Sequence, residues 1–243
     1  MEDGEAFYHP VTIYYPVAGW PTHLKKVNYF EMLFTLPNVE HEIEKLLSSW
    51  FGQADRIQPV YDLYFSTLYD PGPYSEFRFL ALAQAVETYH RRMMGGKYQP
   101  DEIYLADLYR SLLAAITDEI DISFRRSLVH RTLQYATEYS LRKRLHELLR
   151  RLSGYEFLNF VKDKKSGCQF VDQVVDTRNY LTHYSDDLKD DAVRDGAGLH
   201  WLAVKLRLIL EICLLEDIGF SREKVTEIMS NSRNLRQVNE LIS

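Results

Sequence analysis

The stretch from Phe170 to Tyr184 reads FVDQVVDTRNYLTHY and is the most informative part of the chain for the fold. Val171, Val174 and Leu181 recur at helical spacing, and Arg178 falls on the same stripe. A guanidinium taken out of water needs a carboxylate, a phosphate or a neighbouring chain as a partner. The stretch therefore predicts an amphipathic helix whose apolar stripe carries one arginine in need of such a partner.

A second row of this helix carries an amide and an imidazole. Val175, Asn179 and His183 follow one another at i, i+4 spacing, so we expect Asn179 to orient His183. Arg178 and His183 are five residues apart, which is about 140° around an ideal helix. Their side chains converge only through the reach of arginine, a helix end near His183, or a second chain, and this geometry favours a dimer.

Arginine and histidine together suit one reaction class, the cleavage of RNA by attack of a ribose 2′-hydroxyl on its own phosphate. Histidine titrates near neutrality and can move protons, while a bidentate guanidinium can stabilise the extra negative charge of the transition state. The alternative is a structural arginine at a helix interface beside a surface histidine. R-x4-H spacing also arises by chance, so the six residues alone leave both interpretations open.

The rest of the chain predicts a mostly α fold. Only 11 Gly and 8 Pro occur in 243 residues, too few turn formers for a many-stranded β protein. Amphipathic patterns predict helices over 38–52, 57–69, 75–94, 101–116, 123–151 (one long basic helix or a kinked pair), 168–184, 199–219 and 222–229. We expect Gly52 and Gly219 to end the first and the seventh of these helices, and Ser221 to cap the last. Residues 11–36 carry VTIYY and NYFEMLFTL, which are typical of two strands.

These patterns divide the chain into two parts. Because two strands are too few to form a domain, we expect residues 1–52 to be the remnant of an upstream β-containing domain with a linking helix. Residues 53–243 are then the helical domain. Cys168 and Cys213 belong to no C-x-x-C pair, and we expect neither disulfide nor zinc ribbon. Without a signal peptide or a long apolar run, the sequence predicts a cytoplasmic protein with no membrane partner.

Charge is distributed unevenly along the chain. The total is −6, yet residues 124–151 hold eight basic residues against two acidic ones. This stretch could contact phosphates, and it could equally be a solvated helix face. The candidate RNA-binding residues in it are Arg125, Arg126, Arg131, Arg142, Lys143 and Arg144. The acidic loop 186–195 reads as a solvated, mobile linker.

The hexad RNYLTH, residues 178–183, resembles the R-x4-H motif of the HEPN superfamily, in which Asn commonly follows Arg. The resemblance extends to three segments in the same order, YDLYFSTLY, FRFLALAQAVETYHRRM and VVDTRNYLTHYSDD. Together they resemble the ApeA-like HEPN domain of prokaryotic phage-defence and abortive-infection proteins, over about residues 55–220.

This resemblance implies an all-α bundle that homodimerises and forms a composite, metal-independent endoribonuclease site without a cofactor. The family's catalytic positions map onto Arg178, Asn179 and His183. Some relatives carry a tyrosine two positions after the histidine that a partner enzyme adenylylates. Here Tyr184 directly follows His183, so only a supporting role is implied for it.

Two further residues of the third predicted helix invite a role, and each has an alternative. Glu87 could pair with Arg178 or help to place His183, or it could pair with Arg91 one helical turn away. His90 fits the apolar stripe of its helix and reads as a core histidine with satisfied hydrogen bonds.

Two function classes remain at this point. The first is a toxin or defence ribonuclease that acts on RNA, with tRNA as one candidate target and an antitoxin or an upstream sensor domain as a further partner. The second is a catalytically silent helical module that binds nucleotide, RNA or protein. The same motif residues are compatible with both classes.

Overall fold

The computed structural model of this chain describes residues 32–69, 74–117 and 119–240. Their regular structure is helical, with one isolated antiparallel bridge between Lys97 and Glu138 and no strand. The helices are α1 (Leu36–Val39), α2 (Ile43–Tyr69), α3 (Ser75–Met93), α4 (Asp101–Ala106), α5 (Leu108–Ala115), α6 (Ile122–Ser127), α7 (Leu141–Arg151), α8 (Lys164–His183), α9 (Gly196–Ile218), α10 (Arg222–Ser230) and α11 (Arg233–Glu240). The predicted all-helical bundle is confirmed for this part of the chain. The two predicted strands lie outside the described residues except for 32–36, which contain no strand.

Helix α9 forms the centre of the bundle. Asp195 caps its start by accepting a hydrogen bond from the Gly198 amide at 2.7 Å, and Gly219 ends it with φ of 110°. Most of its residues between Leu199 and Ile218 are buried, because α2, α3, α10 and α11 pack around it. The sequence predicted this helix and its glycine stop correctly.

Helix α2 shows that the helix break predicted at Gly52 is wrong. The helix runs without interruption from Ile43 to Tyr69, through both Gly52 and Pro59. A glycine inside a helix costs about 1 kcal/mol and a proline about 3 kcal/mol relative to alanine. Burial of Ile57, Val60 and neighbouring tyrosines in the core offsets this cost. The division that the sequence suggested between residues 52 and 53 falls within this helix.

The segment 97–138 departs most from the predicted helices. The helix predicted over 101–116 is interrupted at Asp107, between α4 and α5. The basic helix predicted over 123–151 is split into α6, a π-helical turn at Leu128–Thr132, a 3-10 turn and α7. Neither α5 nor α6 has a buried residue. The apolar spacing predicted helical structure here correctly, but α5 and α6 do not lie in the core.

The loop between α8 and α9 is attached to the bundle. Residues Asp186–Leu188 form a 3-10 turn, and the Val193 amide donates a hydrogen bond to Thr177 Oγ1 of α8 at 3.0 Å. Most of the loop is exposed to solvent, as predicted, while this bond and the Asp195 cap attach its C-terminal end to α8 and α9. Within the described part of the chain, we find no helix long and apolar enough to cross a membrane.

Candidate active site

The R-x4-H hexad occupies the last turns of α8. Asp163 caps the start of the helix by accepting a hydrogen bond from the Ser166 amide at 3.0 Å. Tyr184 ends it in the left-handed conformation, and its amide donates to the Tyr180 carbonyl at 2.6 Å. His183 is thus the last helical residue, where the helix dipole favours positive charge.

The buried face of α8 differs in one position from the predicted stripe. Val171, Val174 and Leu181 are buried as predicted, but Thr177 lies beside them with 0% exposure while Arg178 is half-buried. All three apolar residues pack into the core of their own chain. These three residues of the predicted stripe are therefore covered by the chain itself and are not available to a second copy.

Arg178 lies on the border between the buried face and the exposed face of α8. Its Nη1 donates a hydrogen bond to Asn179 Oδ1 at 3.1 Å. Asn179 therefore holds Arg178, whereas the sequence predicted that it would orient His183. Thr182 Oγ1 donates to the Arg178 carbonyl at 2.7 Å and covers the backbone on the same side.

His183 lies in the middle of the exposed face and is accessible to solvent. It makes no hydrogen bond and no ion pair with any of the residues that the structure describes. The imidazole is therefore accessible and is not oriented by its own chain.

Glu87 takes the alternative that the sequence offered. Its Oε1 pairs with Arg91 Nη2 at 3.3 Å along α3, and Arg91 also forms an ion pair with Glu138. The structure shows no contact of Glu87 with Arg178 or His183. Glu87 therefore belongs to the junction between α3 and the segment 97–138.

The basic stretch does not form one continuous surface. Arg144 is 1% exposed and is therefore inaccessible to RNA, which corrects its assignment as an RNA-binding residue. Arg142 pairs with Asp172 and Asp176 of α8, and Lys143 Nζ lies 3.6 Å from Glu147. The remaining candidates lie in α6 and the π-helical turn, namely Arg125, Arg126 and Arg131.

His90 is confirmed as a core histidine. It is fully buried, and its Nε2 lies 2.9 Å from Glu147 Oε2. Arg144 Nη1 lies 3.1 Å from its Nδ1, and since a guanidinium only donates, Nδ1 accepts and Nε2 carries the proton. Burial lowers the pKa of His90, and the Arg144 charge adds to this against the opposing effect of Glu147.

A second polar cluster was not predicted from the sequence. Arg151 donates to Asp217 Oδ1 at 2.8 Å and to Glu216 Oε2 at 2.9 Å, and Tyr89 bonds to both Arg151 and Asp217. Burial raises the pKa of the adjacent Cys213 thiol to about 12. The one available signal was the Glu216-Asp217 pair near the end of a largely apolar helix, which indicates buried carboxylates that need cations.

One cleft among the described residues is lined by no residue of α8. This cleft of about 450 Å³ lies in the segment 97–138, and its walls include Tyr104, Tyr109, His130 and Tyr135. No group of three or more acidic, histidine or cysteine residues with metal-binding geometry occurs among residues 32–69, 74–117 and 119–240.

Residues 80–224 match the family model described as Apea-like HEPN, which is more than half of the chain. The matched region begins in α3, contains the whole of α8 and α9, and ends in α10. No curated protein and no solved structure matches the chain.

Proposed function

Because this chain belongs to the Apea-like HEPN family, we propose that it is a metal-independent endoribonuclease whose active site is completed by a second copy of the chain. In this proposal it acts as a toxin or anti-phage effector that stops growth by cleaving cellular RNA, with tRNA as one candidate target. Arg178 and His183 are the catalytic residues, and Asn179 positions Arg178.

One observation carries the proposal. Arg178 and His183 lie at the open end of α8, and the polar groups of the chain leave both available for a substrate. Among the described residues, the Arg178 guanidinium hydrogen-bonds only to the Asn179 amide and forms no ion pair, which leaves its charge uncompensated. An arginine without a carboxylate partner and an accessible histidine, both near the end of one helix, are the two kinds of group that phosphodiester cleavage needs.

The reaction follows from these groups and from RNA itself. His183 takes the proton of a ribose 2′-hydroxyl, and the 2′-oxygen forms a bond to the adjacent phosphorus. The bond from phosphorus to the 5′-oxygen breaks, and this oxygen receives a proton from a second acid. The products are a 2′,3′-cyclic phosphate and a 5′-hydroxyl end. Arg178 stabilises the additional negative charge on the phosphate oxygens in the transition state.

The second acid comes from the partner copy in this proposal. On one α8 helix Arg178 and His183 point about 140° apart, so a single chain presents its base and its phosphate ligand in different directions. Two α8 ends that meet around a two-fold axis supply two histidines and two arginines to one phosphate. Because Val171 and Val174 face the core, the contact involves the exposed side of α8.

A second candidate function is a silent module that binds RNA or nucleotide without cleavage. It is favoured by one observation, the lack of any described hydrogen bond that would orient His183. In this alternative Arg178 binds a phosphate, and no proton is transferred.

The two candidates are separated by cleavage of a labelled single-stranded RNA in the presence of a chelator. We expect the wild-type chain to produce cyclic phosphate ends, and His183→Ala to lose about 10²- to 10⁴-fold in rate. Arg178→Lys should also be impaired, because an ammonium cannot make the two-pronged contact of a guanidinium. His41→Ala, which removes an exposed histidine outside the motif and outside the basic stretch, is the matched control and should cleave like wild type.

Circular dichroism and sedimentation of the same samples complete the test. A folded and fully active His183→Ala protein would contradict the assignment of the base. Binding of RNA without cleavage by the wild-type chain would favour the silent module. A monomer that cleaves at the wild-type rate would rule out the shared site.

A further inference from the structure

Tyr184 adopts a backbone conformation that its side chain disfavours. Its φ is 49° and its ψ is 35°, and it is the only non-glycine residue with positive φ in the described part of the chain. Helices usually place glycine or asparagine in this left-handed position, because a Cβ atom crowds the following carbonyl there. By comparison, α9 ends with glycine in the same conformation. The tyrosine therefore carries a strain that the glycine at the end of α9 avoids.

The folded chain does not use the ring of Tyr184 in a way that would offset this strain. The residue is 67% exposed, and its hydroxyl makes no hydrogen bond with the described residues. Its one ring contact is with Tyr180, at 5.6 Å between centroids and 64° between planes. Tyr180 is itself half-buried against the core, so the Tyr184 ring contacts a side chain that is anchored there.

The position of this ring relates it to the candidate active site. Tyr184 directly follows His183, and both lie on the solvent side of the last turn of α8. Strained residues in native structures concentrate at functional sites, where a ligand uses the strained geometry. An exposed aromatic ring directly after the candidate catalytic histidine is suited to contact a nucleotide base.

We propose that Tyr184 is a stacking platform for one unpaired base of the RNA substrate, next to the phosphate that is cleaved. This inference rests on the proposed function and names its substrate class as single-stranded RNA. A base in a duplex is stacked between its neighbours and cannot lie on a protein ring, whereas an unpaired base can. Stacking uses the face that every base has, so it selects unpaired RNA without selecting a sequence.

The test replaces the ring and keeps the backbone conformation. Tyr184→Asn removes the ring, and asparagine tolerates the left-handed region, so the end of α8 and the place of His183 are preserved. Tyr184→Phe keeps the ring and removes the hydroxyl. We expect Tyr184→Asn to raise the KM for a single-stranded 20-mer by about 5- to 150-fold, with kcat nearly unchanged. This is the factor in affinity that the stacking of one base on an aromatic residue contributes, about 5- to 150-fold. Tyr184→Phe should keep the wild-type KM.

A second arm uses the substrate. The same 20-mer annealed to its complement should be cleaved poorly by the wild-type chain. For the wild-type chain, a strand with an abasic nucleotide beside the cleaved phosphate should raise the KM by the same factor as Tyr184→Asn does. The abasic nucleotide should not raise the KM of the Tyr184→Asn protein further, because the two changes remove one contact.

The outcomes separate this inference from the function on which it rests. A Tyr184→Asn protein with the wild-type KM, or equal cleavage of duplex and single strand, would overturn the stacking role alone. A Tyr184→Phe protein as impaired as Tyr184→Asn would assign the effect to the hydroxyl and overturn it too. Absence of RNA cleavage by the wild-type chain would overturn the proposed function and this inference with it.

Discussion

Two regions of this molecule contain an arginine, a histidine and a polar partner. They differ in whether the same chain supplies all the hydrogen-bond partners of these residues. Where α3 meets α7, Arg144 and His90 are both buried, and Glu147 accepts from the histidine. At the end of α8, Arg178 forms a side-chain hydrogen bond only with the Asn179 amide among the described residues, and His183 forms no hydrogen bond or ion pair with them. The first cluster is closed by its own chain, whereas the second is open.

The closed cluster is built to leave no group unpaired. The Arg144 guanidinium donates to the Gly95 carbonyl at 2.8 Å, to the Tyr139 carbonyl at 3.1 Å and to His90. Gly96 permits this approach, since a Cβ atom there would collide with the guanidinium. Residue types alone therefore do not distinguish a structural cluster from a functional one. What distinguishes them is whether the fold supplies every hydrogen-bond partner.

The largest expected effect tests this difference on the two arginines. Arg144→Ala should lower the free energy of unfolding by about 3–5 kcal/mol, because it leaves buried carbonyls and a buried histidine without their donor. Arg178→Ala, at a half-buried position with one amide contact, should change it by no more than about 0.5 kcal/mol. Urea unfolding followed by circular dichroism measures both.

RNA cleavage should show the opposite order, with Arg178→Ala inactive and any folded Arg144→Ala protein active. Equal loss of stability in the two variants would show that the end of α8 is also closed, and the comparison would fail.

A smaller effect is expected from pH at the closed cluster. Because burial lowers the pKa of His90 below 6.5, the folded state favours its neutral form. The resulting stability is fully present above pH 6.5 and is lost as the pH falls through the lower folded pKa. A proton added at Nδ1 would face the Arg144 guanidinium, with Glu147 on the other ring nitrogen and Arg91 and Glu87 nearby on α3.

The measurement is the free energy of unfolding at pH 7.5 and pH 5.5 for wild type and His90→Gln. The carboxylates of the chain contribute to both proteins, so the difference between the two slopes isolates His90. We expect wild type to lose more stability than the variant on acidification. Parallel slopes would mean that His90 does not sense pH.

The smallest effect concerns Arg142, which lies two positions before Arg144 on the exposed side of α7. Its pairs with Asp172 and Asp176 involve side chains that are 41%, 54% and 27% exposed, so Arg142→Ala should cost less than about 1 kcal/mol. High salt should reduce even this cost. If RNA binds Arg142 as the sequence suggested, the variant should instead show a raised KM at low salt and an unchanged kcat. An unchanged KM would leave Arg142 with its structural ion pairs alone.

Local signals in the sequence predicted the fold well, while contacts between distant residues could not be read from it. The Ser221 cap of α10 and the Gly219 stop of α9 involve neighbouring residues, and both are confirmed. The Tyr89–Asp217 bond joins residues 128 positions apart, and no periodicity reports such a pair. The break predicted at Gly52 failed because tertiary burial outweighed the local cost.

The candidate site was predicted in its residues and only partly in its surroundings. Helical spacing grouped Val171, Val174 and Leu181 correctly, but it could not say whether their cover is the same chain or a second copy. The same limit applies to Arg142 and Arg144, because charge pattern does not show which of two nearby arginines turns inward. The catalytic roles of Arg178, Asn179 and His183 stay predictions.

Cys213 has a consequence for how the opening of the bundle can be followed. Its thiol is fully buried in α9, and burial raises its pKa to about 12. Reagents that react with thiolates therefore modify it only after the helices around it separate. Cys168, on α8, is half-buried. The alkylation rate of Cys213, compared with that of Cys168, therefore reports how often the centre of the bundle opens in the native protein.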